Sequence, residues 1–241
     1  MTYYRFWWKD MWCKVYQYGD RLRVVGFKGG SGGVGAPHAL DDSADDPSER
    51  FESNVARARS RIRELAFCND WQYFVTVTVS EANQDRTDRK KLVKRFQQCL
   101  KDFNRKFGAK VAYLIIPELH SDGRAWHVHG LFDGVPRWAV QKNPFGYDTI
   151  PYFEERFGWV SISRIRDQHR VATYITKYIS KGLGNNLQPG EHMFYSSHGL
   201  RGKVAVADGE FVGVPWTYGN DFVKLVELDC DLEEFFTLYA Q

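Results

Sequence analysis

Apolar and polar residues alternate along several short stretches of the chain, and this alternation predicts β-strands. The clearest stretch is residues 71–79 (WQYFVTVTV), where the threonines fall on one face and three of the valines on the other. Residues 111–117 and 125–132 predict two further strands, joined by a turn at residues 121–124 into a β-hairpin. Residues 159–166 predict another strand.

Apolar residues spaced three or four apart predict helices between and around these strands. The predicted helices cover residues 46–65, 87–107 and 151–157, and a fourth begins at Asp167 and ends near Gly182. The first helix opens with Asp-Pro-Ser-Glu, which supplies an N-cap and a proline at the first helical position. Strands and helices in this order predict an α+β fold with a central antiparallel sheet flanked by helices.

A chain of 241 residues is long enough for one large domain with appendages. We predict a single domain with its core at about residues 68–185. Residues 1–48 would form an N-terminal hairpin and a flexible Gly- and Ser-rich loop, and residues 186–241 a C-terminal appendage. The glycines of that loop lack the following Gly-Lys-Ser/Thr of a phosphate-binding loop, so we interpret them as a linker.

Composition excludes several classes of protein. The net charge of +3 is too small for a chain that binds polyanions along its whole length, although basic residues cluster on the predicted helices. The four cysteines are scattered without a Cys-x-x-Cys pair, which predicts reduced thiols of an intracellular protein. No apolar run reaches membrane-spanning length, and charges interrupt the aromatic N-terminus, so neither a membrane helix nor a signal peptide is expected.

Two histidines lie two residues apart in the stretch Trp-His-Val-His-Gly, at His127 and His129. Side chains two apart on a strand point the same way, so both imidazoles can reach one divalent cation. The preceding arm of the hairpin ends with Glu118 and His120, and antiparallel pairing would place Glu118 near the pair. Two imidazoles and a carboxylate suit Mg²⁺ or Mn²⁺ acting on a phosphate, or another first-row metal. The alternative is a hydrogen-bonded or solvent-facing pair without a metal.

The predicted fourth helix carries a repeated Tyr-Ile-x-Lys pattern. Tyr174, Lys177, Tyr178 and Lys181 stand at positions i, i+3, i+4 and i+7, so they form one stripe beside an apolar stripe that would face the sheet. Tyrosines at the border of a core with solvated hydroxyls are the alternative interpretation. The repetition in register favours a functional role.

Three motifs in order are more specific than any one of them. The Phe-Val-Thr-Val-Thr strand, the Trp-His-Val-His-Gly strand and the tandem Tyr-x-x-Lys helix together resemble the HUH endonucleases. The resemblance covers roughly residues 71–184 and is greatest to the two-tyrosine rolling-circle replication initiators of small bacteriophages and plasmids. It implies a ferredoxin-like or RRM-like HUH core. It also implies metal ligation by His127, His129 and most simply Glu118, with His120 as the alternative third ligand.

The resemblance further implies that a helix tyrosine attacks a DNA phosphate, which gives a 5′-phosphotyrosine and a free 3′-hydroxyl. Tyr178 is expected to act first, because Tyr-Ile-Ser-Lys-Gly resembles the single-tyrosine version in related initiators. Tyr174 would then act in termination. Lys177 and Lys181 would favour the phenolate and contact the phosphate, with Mg²⁺ or Mn²⁺ as the cofactor.

The expected partner is single-stranded or supercoiled origin DNA, with exposed basic side chains at the phosphates: Arg164, Arg166, Lys94 and Arg124. No Walker motif is present, so a helicase from the host or the element is expected to open the duplex. The resemblance places the protein in the cytoplasm of a bacterial host, without a membrane partner. Two alternatives stay open: a single-strand HUH transposase, and a non-catalytic module that binds single-stranded nucleic acid.

Overall fold

The computed structural model describes most of the chain, namely residues 11–28, 47–83, 85–178, 191–211, 214–215, 217–219 and 223–239. The chain divides into two compact units, one of residues 44–201 and one of residues 1–43 with 202–241. The predicted loop at residues 29–44 and Lys181 lie outside the described residues.

Strands and helices alternate through much of the chain. In chain order they are β1 (Met11–Tyr18), β2 (Arg21–Lys28), α1 (Pro47–Phe67), β3 (Tyr73–Val79), α2 (Arg89–Phe107), β4 (Ala112–Leu119), β5 (Trp126–Asp133), a 3₁₀ turn (Arg137–Ala139), β6 (Gln141–Lys142), β7 (Asp148–Thr149), α3 (Pro151–Phe157), β8 (Gly158–Arg164), α4 (Gln168–Ile175), β9 (Tyr195–Ser196), β10 (Val204–Glu210), β11 (Tyr218–Gly219), β12 (Val223–Leu228) and α5 (Leu232–Tyr239).

The unit of residues 44–201 is built on a five-stranded sheet with the order β8-β3-β5-β4-β9. Every neighbouring pair in this sheet is antiparallel. The connections β3–α2–β4 and β5–α3–β8 each cross one strand, which is the topology of a ferredoxin-like fold. The predicted α+β class with a central antiparallel sheet is therefore confirmed, as are the hairpin β4–β5 and the short helix α3.

One face of this sheet is apolar and is covered by α2 and α3. Its buried side chains come from alternate strand positions and from one side of α2: Val75, Val77, Val79, Val128, Phe132, Val160, Ile162, Leu92, Phe96, Cys99, Leu100 and Phe103. The helix α2 begins at Asp88, whose carboxylate accepts a hydrogen bond from the Lys91 amide, and ends at Gly108 with φ of 62°. Both the predicted buried side of α2 and its ending at Gly108 are confirmed.

The strands themselves pack closely at Gly130, the glycine of the Trp-His-Val-His-Gly motif. A Cβ atom at Gly130 would lie 2.8 Å from Cγ2 of Ile115 and 3.0 Å from the carbonyl oxygen of Leu114. A larger residue there would push β4 and β5 apart. The glycine therefore holds the two strands in the register that places Glu118 opposite His127.

The opposite face of the sheet is covered only in part, by α1 and α4. Its buried cluster includes residues of both helices and of the central strands: Ile62, Leu65, Ala66, Trp71, Leu114, Ile116, Leu131, Ala172, Ile175 and Tyr178. Beyond this cluster the same face carries Thr76, Thr78, His127 and Glu118, which are polar. The sheet face thus changes from apolar to polar along its strands.

The predicted uninterrupted helix from Asp167 to Gly182 is wrong at one point, because α4 ends at Ile175. The Thr176 hydroxyl donates to the carbonyl of Thr173 at 2.7 Å, and the Lys177 amide donates to the carbonyl of Tyr174 at 3.1 Å. Both bonds span three residues, so they tighten the chain into a turn instead of continuing an α-helix.

The unit of residues 1–43 and 202–241 has its own five-stranded sheet, in the order β10-β1-β2-β12-β11. Because β1 pairs with β10 and β2 with β12, the N-terminal hairpin and the C-terminal segment form one unit. The sequence pattern predicts two separate appendages instead, since strand pairing between distant segments leaves no local signal. None of the described helices is long and apolar enough to cross a membrane.

Candidate active site

The two histidines lie in neighbouring cross-strand rows on the polar part of the sheet face. His127 is paired with Thr78 on one side and Glu118 on the other, and His129 is paired with Thr76. Each threonine hydroxyl lies 3.1 Å from the Nδ1 atom of its histidine. Because Nδ1 is held by a hydroxyl, the Nε2 atom of each ring is the one available for another partner.

For His129 that partner is already visible, since its Nε2 lies 2.8 Å from Oε2 of Glu118. The side chains of both residues are largely buried. The pKa of His127 is lowered by burial and by the neighbouring His120 and His129. A lowered pKa favours the neutral imidazole, which is the form that binds metals.

The donor set of His127, His129 and Glu118 fits a first-row divalent cation, because imidazole nitrogen and carboxylate oxygen are both among its usual ligands. The described residues contain no three His, Cys, Asp or Glu side chains already clustered as a metal site. The hydrogen bond between His129 and Glu118 accounts for part of this, since a proton joins the two groups that a cation would join.

His120, the alternative third ligand, lies on the other side of His127. Its ring stacks on that of His127 with centroids 4.7 Å apart and planes 10° apart. Its Nδ1 accepts a hydrogen bond from the Asp122 amide at 3.3 Å, and its side chain is about half exposed. The hairpin therefore brings both candidates to the pair, Glu118 at His129 and His120 at His127.

The two tyrosines lie against the histidines. Tyr178 is buried, with 7% of its surface exposed, and its ring stacks on His129 with centroids 3.9 Å apart. Its hydroxyl donates a hydrogen bond to the hydroxyl of Tyr174 at 2.9 Å. Tyr174 itself is 44% exposed. The ring of Phe74 contacts His129 and both tyrosines and so fixes their positions.

The surroundings of the two phenols push their pKa values apart. Hydrogen bonds from Lys177 and Tyr178 lower the pKa of Tyr174, whereas burial and the hydrogen bond to Tyr174 raise the pKa of Tyr178. The ammonium of Lys177 lies 3.3 Å from the ring centroid of Tyr174 and 5.1 Å from that of Tyr178. The exposed phenol is thus the one that ionises more easily.

The four basic residues predicted to bind DNA are not brought together. Arg124 is exposed in the turn between β4 and β5, at the end of the sheet that carries the histidines. Arg164 and Arg166 are exposed near the other end, where Arg164 pairs with Tyr73. Lys94 lies on α2, which covers the opposite face, and lines a cleft of about 620 Å³ with other basic and acidic side chains.

Three residues of the site have roles that the motifs did not indicate: Thr76 and Thr78, which orient the histidines, and Phe74, which packs the tyrosines. All three lie on one face of β3 at alternate positions. Their spacing could have placed them on the histidine face, but pairing of β3 with β5 is a long-range contact that the sequence pattern does not specify.

The geometry defines an α+β domain with a histidine pair, a carboxylate and two contacting tyrosines on one sheet face. Residues 72–183, slightly less than half of the chain, match the family model of the replication-associated protein ORF2. That match is consistent with a rolling-circle replication initiator. No curated protein and no solved structure matches the chain significantly.

Proposed function

We propose that this protein nicks and rejoins DNA at a specific site through a 5′-phosphotyrosine intermediate, and that it thereby initiates and terminates rolling-circle replication. The observation that carries the proposal is the contact of a tyrosine pair with a histidine pair: Tyr178 stacks on His129 and donates a hydrogen bond to Tyr174. A nucleophile and the candidate ligands of a cation thus meet at one place. The family match over the same residues supports it.

The residues divide the chemistry between them. A divalent cation held by His127, His129 and Glu118, Mg²⁺ or Mn²⁺ by our expectation, would neutralise charge on the phosphate under attack. Thr76 and Thr78 keep the histidine rings oriented through Nδ1. Lys177 and Tyr178 both donate hydrogen bonds to the Tyr174 oxygen, which stabilises its phenolate.

In the first step the Tyr174 oxygen would bond to phosphorus, the bond from phosphorus to the 3′ oxygen would break, and that oxygen would leave with the electron pair and take a proton from water. The phenolic proton of Tyr174 can leave to solvent because the hydroxyl is exposed. The phosphodiester energy is kept in the phosphotyrosine, so a later 3′-hydroxyl can reverse the step. This order of action differs from the sequence-based prediction, which places Tyr178 first.

A covalent adduct tests the proposal directly. Incubation of the protein with labelled single-stranded origin DNA and Mn²⁺ should give a protein–DNA band that survives SDS, and EDTA should abolish it. His127→Ala should lower the yield on the order of a thousandfold, because loss of a ligand removes several kcal/mol of transition-state stabilisation. Its thermal unfolding should change little, since His127 is only partly buried.

His198→Ala is a matched control, since His198 is exposed in the loop after β9 and contacts none of the site residues in the described part of the chain. It should keep full adduct yield. Normal DNA binding by the wild type without any adduct, under all divalent cations, would replace the proposal with the non-catalytic binding module. Unchanged Mn²⁺ affinity of His127→Ala by calorimetry would remove the metal assignment.

A further inference from the structure

Three exposed aromatic rings lie together at the β8 edge of the sheet. Phe145 and Tyr147 come from the loop between β6 and β7, and Trp159 comes from β8. The Trp159 ring centroid lies 5.7 Å from that of Phe145 and 5.6 Å from that of Tyr147. We call Phe145, Tyr147 and Trp159 the aromatic patch. Phe145 is 74% exposed and Tyr147 is 55% exposed, so the patch is not part of a core.

The loop holds these rings in place with its own hydrogen bonds. The side-chain oxygen of Asn143, a buried residue, accepts from the amides of Phe145 and Tyr147, each at 3.0 Å. The Asn143 amide in turn donates to the carbonyl of Tyr147 at 2.9 Å. Exposed rings on a fixed loop lose little conformational entropy when a ligand stacks on them.

The aromatic patch is continuous with the candidate active site. Trp159 is the cross-strand partner of Thr78, and Thr78 is the partner of His127. Directly paired residues of antiparallel strands point to the same face, so Trp159 and His127 share that face. Two strand spacings separate them, which is roughly 10 Å between backbones.

We propose that the aromatic patch is a stacking platform for unpaired DNA bases next to the scissile phosphate. The inference rests on the proposed function, since it names how the same site holds its substrate. Base–aromatic stacking is tolerant of sequence because every base has a π-face, and it requires bases that are not paired in a duplex. The patch therefore selects single-stranded DNA at the site.

The surroundings fit a nucleic-acid strand better than an apolar protein surface. Beside Trp159 is a recess of about 360 Å³, lined by Thr78, Val79, Ser80, Glu81, Arg86 and Trp159. The guanidinium of Arg86 and the hydroxyls of Thr78 and Ser80 supply donors for phosphate or base edges. Aromatic rings with adjacent donors on the path to the histidines match a strand that alternates bases and phosphates.

The test is a binding measurement that needs no cleavage. A short fluorescein-labelled oligothymidylate is titrated in EDTA and followed by anisotropy, alongside an abasic strand with the same number of phosphates. The wild type should prefer the strand with bases. Trp159→Ala should weaken binding of that strand about tenfold and leave the abasic strand unaffected. Trp159→Phe should restore most of the affinity, because it restores a ring.

Phe145→Ala provides a second variant with no folding risk, since that side chain is mostly exposed, and it should lose affinity in the same selective way. The matched control is Trp138→Ala, another exposed tryptophan, which contacts Phe107 and lies outside the aromatic patch. It should bind both strands like the wild type. The slope of affinity against salt should be equal for all four proteins, because phosphate contacts are unchanged.

Several results would overturn the proposal: wild-type affinity in Trp159→Ala and Phe145→Ala, equal loss on the abasic strand, or an equal loss in Trp138→Ala. Unchanged DNA binding together with altered self-association in sedimentation would assign the aromatic patch to a second copy of the chain. A protein that stacks bases but forms no adduct would keep this inference and remove the nicking function. The two failures are therefore distinguishable.

Discussion

The two faces of the central sheet come from the same strands but carry different kinds of side chain. On the α2 face of β3, Val75, Val77 and Val79 are almost completely buried. On the other face of the same strand, Phe74 packs against the tyrosines while Thr76 and Thr78 bond the histidines. Period-two alternation thus separates a packing surface from a chemical one within a single strand.

The second face is itself divided, and the division lies at His129. On one side of it the rings of Phe74 and Tyr178 continue the buried cluster under α1 and α4. On the other side the row of His127 and Glu118 is polar. A group at such a border has a low-dielectric environment and solvent access at once, which suits both a desolvated ligand and an exposed nucleophile.

The largest effect expected on this comparison comes from the two hydroxyls at the border. Tyr174→Phe should remove nearly all covalent adduct on a single-stranded oligonucleotide, because it deletes the exposed oxygen that Lys177 and Tyr178 contact. Tyr178→Phe should keep the first adduct and fail mainly in strand transfer that closes a circle. SDS gels of the adduct and assays of circular product measure the two steps.

The phenylalanine in each variant keeps the ring, so stacking on His129 and contact with Phe74 should persist and thermal unfolding should match the wild type. The opposite pattern would restore the order predicted from the sequence, with Tyr178 first. Adduct in the double Phe variant would remove both tyrosines from the mechanism.

The apolar face should respond in stability instead of chemistry. Phe96 is fully buried and contacts the rings of Phe132, Phe153 and Phe157. Phe96→Ala should lower the free energy of unfolding by about 3–5 kcal/mol, which denaturant titration measures. Phe145→Ala, an exposed phenylalanine, is the control and should change it little. Loss of adduct per folded molecule in Phe96→Ala would show that the two faces are not independent.

Much of the fold could be predicted from the sequence, because it depends on local patterns. Alternation in residues 71–79, the turn at residues 121–124 and the capping residues of α2 each specify structure within a few positions. The end of α4 was not predicted, since it depends on the Thr176 hydroxyl bond to Thr173 and not on a glycine or proline. The joining of the two chain ends in one unit depends on strand pairing over almost the whole chain length.

The candidate site could be predicted as a set of residues but not as an arrangement. The motifs identify His127, His129 and the tyrosines because residue type and spacing are local. They do not show that Tyr178 is buried on His129 while Tyr174 is exposed, since both satisfy the same Tyr-x-x-Lys pattern. The difference arises from packing against Phe74, which is distant in sequence.

A smaller effect is expected for the threonines that orient the histidines. Thr78→Val keeps the shape but removes the hydroxyl that lies 3.1 Å from Nδ1 of His127. Loss of such a supporting group lowers metal affinity about 10–100-fold, which Mn²⁺ calorimetry should show. Thr149→Val is the control, because the buried Thr149 hydroxyl has no hydrogen-bond partner among the described residues. Equal Mn²⁺ affinity of Thr78→Val and wild type would mean that the hydroxyl does not hold the ring.

The smallest expected effect concerns basic residues on the two faces, Arg124 at the histidine end and Lys94 on α2. The guanidinium of Arg124 can contact a phosphate of a short single strand at the site, so Arg124→Ala should lower the slope of log affinity against log salt by about one. Lys94 lies behind the sheet, so Lys94→Ala should not change that slope on the short strand.

Supercoiled origin DNA is long enough to pass from one face to the other, and there Lys94→Ala should also lower the slope by about one. The side chain of Lys91, which pairs with Asp88 at 3.0 Å, provides the control on α2, since its charge is already partly neutralised. Lys91→Ala should therefore change the slope less than Lys94→Ala does. A change in Lys94→Ala on the short strand would place DNA on the α2 face, and the separation of a packing face from a DNA-binding face would then be wrong.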